Sequence, residues 1–245
     1  MNSEILKYVL LIAFSILGIF KNSISFNPIR FHCDNYILNN YLYIILSWGI
    51  ILTTVATLYN NNVKLHELFS GPFTILLSLG SIFLLVGLLF IPPELFFTKH
   101  LLYIFQIVLM GIIIYPLYVN NIELFKQVGI TTLLLITFLS LVTYMYPDII
   151  KDGIYTYLSI GLIGIIIARI VEMVIIYKNK KVYTGYHRLL SYISIALFSI
   201  FIMYDTKRLI RGAQTCVNPD YINKSLNLFL DSMNIFTNMY ALNDN

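Results

Sequence analysis

Residues 71–91 read GPFTILLSLGSIFLLVGLLFI, a stretch without a single charged side chain. An α-helix needs about 20 predominantly apolar residues to cross the hydrocarbon core of a bilayer. A strand of a transmembrane barrel would alternate apolar and polar positions over about ten residues. This run is long and continuous, so it is read as a spanning helix.

Working outward, the same pattern recurs in Ile5–Phe20, Tyr41–Tyr59, Leu101–Val119, Val128–Tyr146, Ile154–Tyr177, Leu189–Tyr204 and Tyr221–Leu242, which with Gly71–Ile91 makes eight candidate spans. The connections are short and carry helix breakers: Asn60-Asn61-Asn62, Pro92-Pro93, Asn120-Asn121, Pro147-Asp148 and Asn218-Pro219. No linker or internal repeat marks a second domain. The expected fold is all-α, a polytopic transmembrane helix bundle.

Composition agrees. Hydrophobic residues make up 58% of the 245 and charged residues 11%, with a mean hydropathy of +0.79. A soluble domain carries about 25% charged residues, so this chain could not cover its surface in water. A disordered chain has the opposite balance. A net charge of +4 spread over short loops is not the clustered basic footprint of a nucleic-acid binder. The partner that composition implies is the lipid bilayer.

Residues 1–40 form a separate N-terminal piece. Lys7 followed by a short apolar run fits either a retained anchor or a secretory signal peptide. The segment after it, Lys21-Asn22-Ser23-Ile24-Ser25, is a poor cleavage site, which favours the anchor. The loop charges nearly balance: Lys178, Lys180, Lys181 and Arg188 lie on one side, and Lys207, Arg208, Arg211, Lys21 and Arg30 on the other. They leave the orientation open.

Ionisable groups inside apolar segments are costly unless paired or hydrated, and so they mark function. In the last segment Asn223, Asn227, Asp231, Asn234 and Asn238 recur at steps of four and three, which puts them on one stripe of a helix. One reading is an amphipathic helix lying on the membrane surface; the other is a central helix whose stripe lines a hydrated cavity. A surface helix is usually rich in Lys and Arg on its polar face, and this stripe is not.

Tyr204-Asp205-Thr206 closes the preceding segment. Continued helix through Leu209-Ile210 would place Asp205 within the bilayer boundary, on the neighbour of the Asp231 helix. Two carboxylates facing one cavity of low dielectric share a proton more readily than they both ionise. Their oxygens and those of asparagine are also the hard ligands that calcium accepts. Arg169 and Glu172, three residues apart, can pair on one helix face, or Arg169 can serve as counter-charge to the Asp231 region.

Tyr204-Asp205-Thr206, followed by a polar loop and SLNLFLDSMNIF at residues 225–236, resembles the C-terminal signature of the Bax inhibitor motif family, whose members are also called lifeguard and Golgi anti-apoptotic proteins. The likeness is close over the last fifty residues or so. Upstream it lies in hydropathy and order, with Thr143-Tyr144 similar to a Thr-Tyr that ends a family helix. The extra first segment is similar to the growth-hormone-inducible transmembrane branch.

The resemblance implies that residues 41–245 form a seven-helix domain with the last helix central. It also implies a pH-sensitive calcium leak, suppression of cell death, and residence in ER, Golgi, mitochondrial inner or viral membranes. It makes Asp205 and Asp231 the proton sensor and calcium the permeant ion, with no cofactor; the stripe itself is read as placing Asn227, Asn234 and Asn238 along the path. Two departures stand out: Gly71–Ile91 lacks the Arg that the family often carries in its second helix, and Leu101–Val119 offers only Gln106 where many members have an acid. They keep open a non-conducting alternative. That protein would act by binding cell-death regulators or other membrane proteins, or as a structural component of a viral or organelle membrane.

Cys33 and Cys216 fall on the same side of an eight-span chain, where they form either a disulfide or two free thiols. The four histidines, His32, His66, His100 and His187, read as scattered over loops, which argues against a metal site. Asp231 lies in a Leu-Asp-Ser context, not the Gly-x-Gly-Asp of intramembrane aspartyl proteases. No nucleophile elbow, P-loop or zinc signature occurs either. No enzymatic activity is expected.

Overall fold

The computed structural model describes residues 3–26, 29–69, 71–179 and 183–244. Long helices dominate: α1 (Ser3–Ser23), α2 (Tyr36–Asn60), a single turn α3 (Leu65–Leu68), α4 (Gly71–Phe90), α5 (Phe96–Asn120), α6 (Ile122–Met145), α7 (Ile154–Asn179), α8 (Thr184–Gln214) and α9 (Tyr221–Asn243). The fold is all-α, as expected. A small antiparallel hairpin, β1 (Ile24–Phe26) with β2 (Ile29–Phe31), follows α1, pairing Ile24 with Phe31. The sequence reading did not anticipate it. Lys180 and Lys181 of the basic cluster lie outside the described residues.

Among the described residues, seven helices are long and apolar enough to cross a membrane: α1, α2, α4, α5, α6, α7 and α8. The eighth expected span, α9, has the length, at 23 residues. Its Asn/Asp stripe removes the apolar character that the others carry. Helices suit this setting because they satisfy their backbone hydrogen bonds internally. Hydroxyls inside them do the same by bonding the carbonyl four residues back, as Ser47 does to Tyr43, Thr54 to Ile50 and Ser194 to Leu190. The outward faces are apolar. Phe83 and Phe90 on α4 and Met173 and Tyr177 on α7 are largely exposed, as side chains facing lipid are. The chain is a multi-pass integral membrane protein.

Two compact units make up the chain: Met1–Ile122 with Gly212–Leu226, and Glu123–Arg211 with Asn227–Asn245. In the first, α1 packs along α2 through glycines. A Cβ on Gly49 would come within 2.9 Å of Ile12, and one on Gly18 within 2.9 Å of Leu42. Small residues of this kind let membrane helices approach without a driving force from water. In the second unit the apolar side of α9 forms the core. Leu228, Phe229, Ile235 and Phe236 are completely buried, and Phe236 meets Phe125 at 4.9 Å between ring centroids.

Candidate functional site

In the second unit α8 runs unbroken past Tyr204 to Gln214, so Asp205 sits inside a helix and not at its end. The helix continues through Leu209-Ile210 as the sequence allowed, but the apolar run ends at Tyr204 because Asp205, Lys207, Arg208 and Arg211 lower the apolarity beyond it. Their charges are matched locally. Lys207 is buried and donates to the Ile150 carbonyl at 2.6 Å, reaching Asp152 at 3.2 Å, and Arg211 reaches Asp152 at 2.7 Å. Arg208 pairs with Asp205 at 3.5 Å and lies over the Tyr204 ring.

Asp205 and Asp231 line the same cleft, of about 410 Å³, together with Arg208, Asn227 and Asn234 on the polar side and Tyr155, Leu162, Ile166 and Phe198 on the apolar side. Asp231 is buried, and its Oδ2 has no hydrogen-bond partner among the described residues. A buried carboxylate oxygen without a partner carries a full desolvation cost, which a proton, a cation or water entering the cleft would relieve. On the same stripe Asn234 turns its amide nitrogen back onto the Leu230 carbonyl at 2.9 Å, and Asn238 onto that of Asn234 at 2.8 Å. The Asn238 oxygen in turn accepts from the Arg169 guanidinium at 2.6 Å. The first of its asparagines, Asn223, belongs to the first unit, where it donates to the Leu89 carbonyl at 3.2 Å.

A second cleft, of about 260 Å³, shares Leu162, Ile166, Phe198 and Asn234 with the first and extends to Arg169 and Asn238. Here Arg169 is bound on several sides. Its Nη1 meets Glu172 Oε2 at 2.8 Å, and its Nη2 donates to Ser191 Oγ at 2.9 Å and to Asn238 Oδ1 at 2.6 Å. His187 Nδ1 stands 2.9 Å from Glu172 Oε1 and 3.2 Å from Arg169 Nη1. One ring nitrogen cannot donate and accept at once, and the shorter contact to a carboxylate assigns the proton to Nδ1.

Arg169 is thus engaged by its own helix neighbour and by Asn238. Of the two readings of Arg169, the pair with Glu172 on its own helix is the arrangement seen, and the cation beside Asp205 is Arg208. Glu172 is held between Arg169 and His187 beside a further cleft lined by Tyr183 and Tyr186. Three of the histidines are not on loops. His66 lies in α3, His100 in α5 and His187 in α8. The sequence reading missed His187 and Ser191 because they meet Arg169 from a different helix. A His four residues before Ser191 on one helix face was the available signal.

In the first unit Cys33 and Cys216 are joined in a disulfide, with Cα atoms 5.8 Å apart, within the usual range. Beside it Lys99, only 1% exposed, bonds Asp220 at 2.5 Å and the Ile91 carbonyl at 2.6 Å. Tyr221 donates to the His32 carbonyl. His100 must donate from Nδ1 to the Phe96 carbonyl at 2.7 Å, so its Nε2 accepts from the Tyr43 hydroxyl at 2.7 Å. Phe31 packs among Tyr43, Phe96 and Tyr221.

Long apolar helices together with a polar, carboxylate-bearing cleft define a class of multi-pass membrane protein. A family model described as "Inhibitor of apoptosis-promoting Bax1" matches residues 34–242, and the chain belongs to that family. It is also 31% identical over 86 residues to an "Uncharacterized membrane protein" of Vibrio cholerae serotype O1. That match covers 35% of this chain and 34% of the relative, about a third of the relative's length.

Proposed function

We propose that this protein is a proton-gated cation leak with calcium as its permeant ion. The observation that carries the reading is the shared cleft of Asp205 and Asp231, with the Asp231 Oδ2 buried and without a hydrogen-bond partner among the described residues. A proton shared between two carboxylates in a low-dielectric cleft removes one charge, and its loss restores a second. The number of charges facing the path then depends on pH. Asn227, Asn234 and Asn238 line the path, with the Asn238 oxygen held by Arg169. No resident cofactor and no enzymatic step enter this reading. Suppression of cell death, named in the family's description, follows as a consequence of lowering a stored calcium load.

The test is calcium entry into liposomes holding the full-length protein, followed from about pH 6 to 8 so that a change in the number of shared protons registers as a change in leak. Wild type, Asp205→Asn and Asp231→Asn are compared. A pH-dependent leak altered by either substitution is expected. Folded protein without flux at any pH would remove conduction and leave the second reading, a non-conducting membrane protein that acts by binding partners. That reading has two observations in its favour: α4 carries no charge, and Arg169 is engaged elsewhere than at the aspartates.

A further inference from the structure

We propose that Arg169 is a charge gate, closing the polar stripe at the end away from Asp205 and Asp231. The three helices that line the two joined clefts set these residues out in order. On α9 the stripe runs from Asp231 through Asn234 to Asn238, a rise of about 10 Å at 1.5 Å per residue. On α8, which runs the other way along the same clefts, the order is Asp205, Phe198, Ser194. On α7 it is Tyr155, Leu162, Ile166, Arg169. Carboxylates therefore stand at one end, Asn234 with apolar neighbours in the middle, and the guanidinium at the other.

The guanidinium is fixed and asymmetrically neutralised. Glu172 meets Nη1, whereas Nη2 points at Ser191 and at Asn238 on the stripe itself. An arginine does not lose its proton in a protein. The charge facing the stripe is therefore permanent, and a cation reaching Asn238 meets it at close range in a medium of low dielectric. Passage requires the guanidinium to leave Asn238, not to deprotonate. The planar fork lets one side chain be held by partners on three sides, which a lysine cannot reproduce. His187 keeps Glu172 in place from the far side.

This assignment rests on the conduction reading, but its test reads water access and not ion flux, so the two fail separately. The chain's two cysteines are bonded to each other, which leaves a thiol-free background. Asn234→Cys is placed in the full-length protein in sealed vesicles, with Lys178→Cys, at the exposed end of α7, reporting the fraction facing outward. Membrane-impermeant methanethiosulfonates of either charge are added from that side.

With Arg169 present, the thiol introduced by Asn234→Cys should label slowly. Arg169→Gln should speed the cationic reagent by about tenfold or more and the anionic one by less, because removing a fixed positive charge favours cations. Arg169→Lys, which keeps the charge, should stay near wild type in its discrimination between the two reagents. Equal acceleration of both reagents, or new labelling at a buried Thr132→Cys control, would show general loosening and overturn the gate. So would unchanged labelling in Arg169→Gln. Faster cationic labelling without any leak keeps the gate on a hydrated cleft and removes conduction alone.

Discussion

Arg169 on α7 donates to the side-chain oxygen of Asn238 on α9 at 2.6 Å. The bond ties the Arg169–Glu172 pair of α7 to the stripe that marks α9, within a single unit of the chain. A charge-assisted bond of this kind contributes about 1.5–3 kcal/mol. Asn238→Ala should lower stability by about that amount, read as a shift of the unfolding midpoint in detergent. Against Arg169→Gln, a double-mutant cycle should return a coupling of about 0.5–3 kcal/mol. Additive effects would show that the contact is not formed in the folded protein.

Asp231→Asn is expected to leave stability unchanged or to raise it at neutral pH. The carboxylate is buried with one oxygen unpartnered among the described residues, and the amide removes a charge without changing shape. A loss of more than about 2 kcal/mol, large for a single substitution, would mean that the ionised carboxylate is a structural element and not a poised site.

Lys99 gives the opposite expectation. Its ammonium is fully buried against Asp220 and the Ile91 carbonyl. Lys99→Ala should cost about 2–4 kcal/mol, because it strands a partly buried carboxylate. Lys99→Met, which fills the space, should cost less when combined with Asp220→Asn. Thermal unfolding of the three variants measures this.

The disulfide closes a separation of 183 residues. Protein isolated with thiols blocked should run faster on a non-reducing gel than after reduction, and Cys33→Ser should abolish the difference. Loss of the bridge should cost about 2–5 kcal/mol. A disulfide persists on the oxidising side of a membrane. The loop between α8 and α9, which carries Cys216, is therefore expected on that side, and reagent accessibility of the loop checks it.

Asp152, in the turn before α7, is held below the usual carboxylate range by hydrogen bonds from Arg211 and then Lys207. A carboxylate whose folded pKa is depressed stabilises the fold above its unfolded pKa. That contribution is lost as pH falls through the folded value. Unfolding midpoints should therefore decline on acidification below the ordinary aspartate range, and Asp152→Asn should flatten that decline. An unaltered acid limb in the variant would place the sensitivity elsewhere.

Much of this protein was settled along the chain. The uncharged run 71–91 and its counterparts dictate spanning helices, because length and apolarity are one-dimensional properties and the bilayer admits few other structures. The steps of four and three from Asn223 to Asn238 fix a stripe on any helix, and they singled out Asp231 before any contact was seen. Tertiary structure decided what those residues meet. That Arg169 would turn to Asn238 and Glu172 while Arg208 took Asp205 depends on how α7, α8 and α9 are rotated about their axes, and spacing within one helix carries no information about that rotation. The joining of Cys33 to Cys216 likewise depends on a distance that folding brings down to 5.8 Å between Cα atoms. Periodicity gives each helix its faces; only packing pairs one face with another.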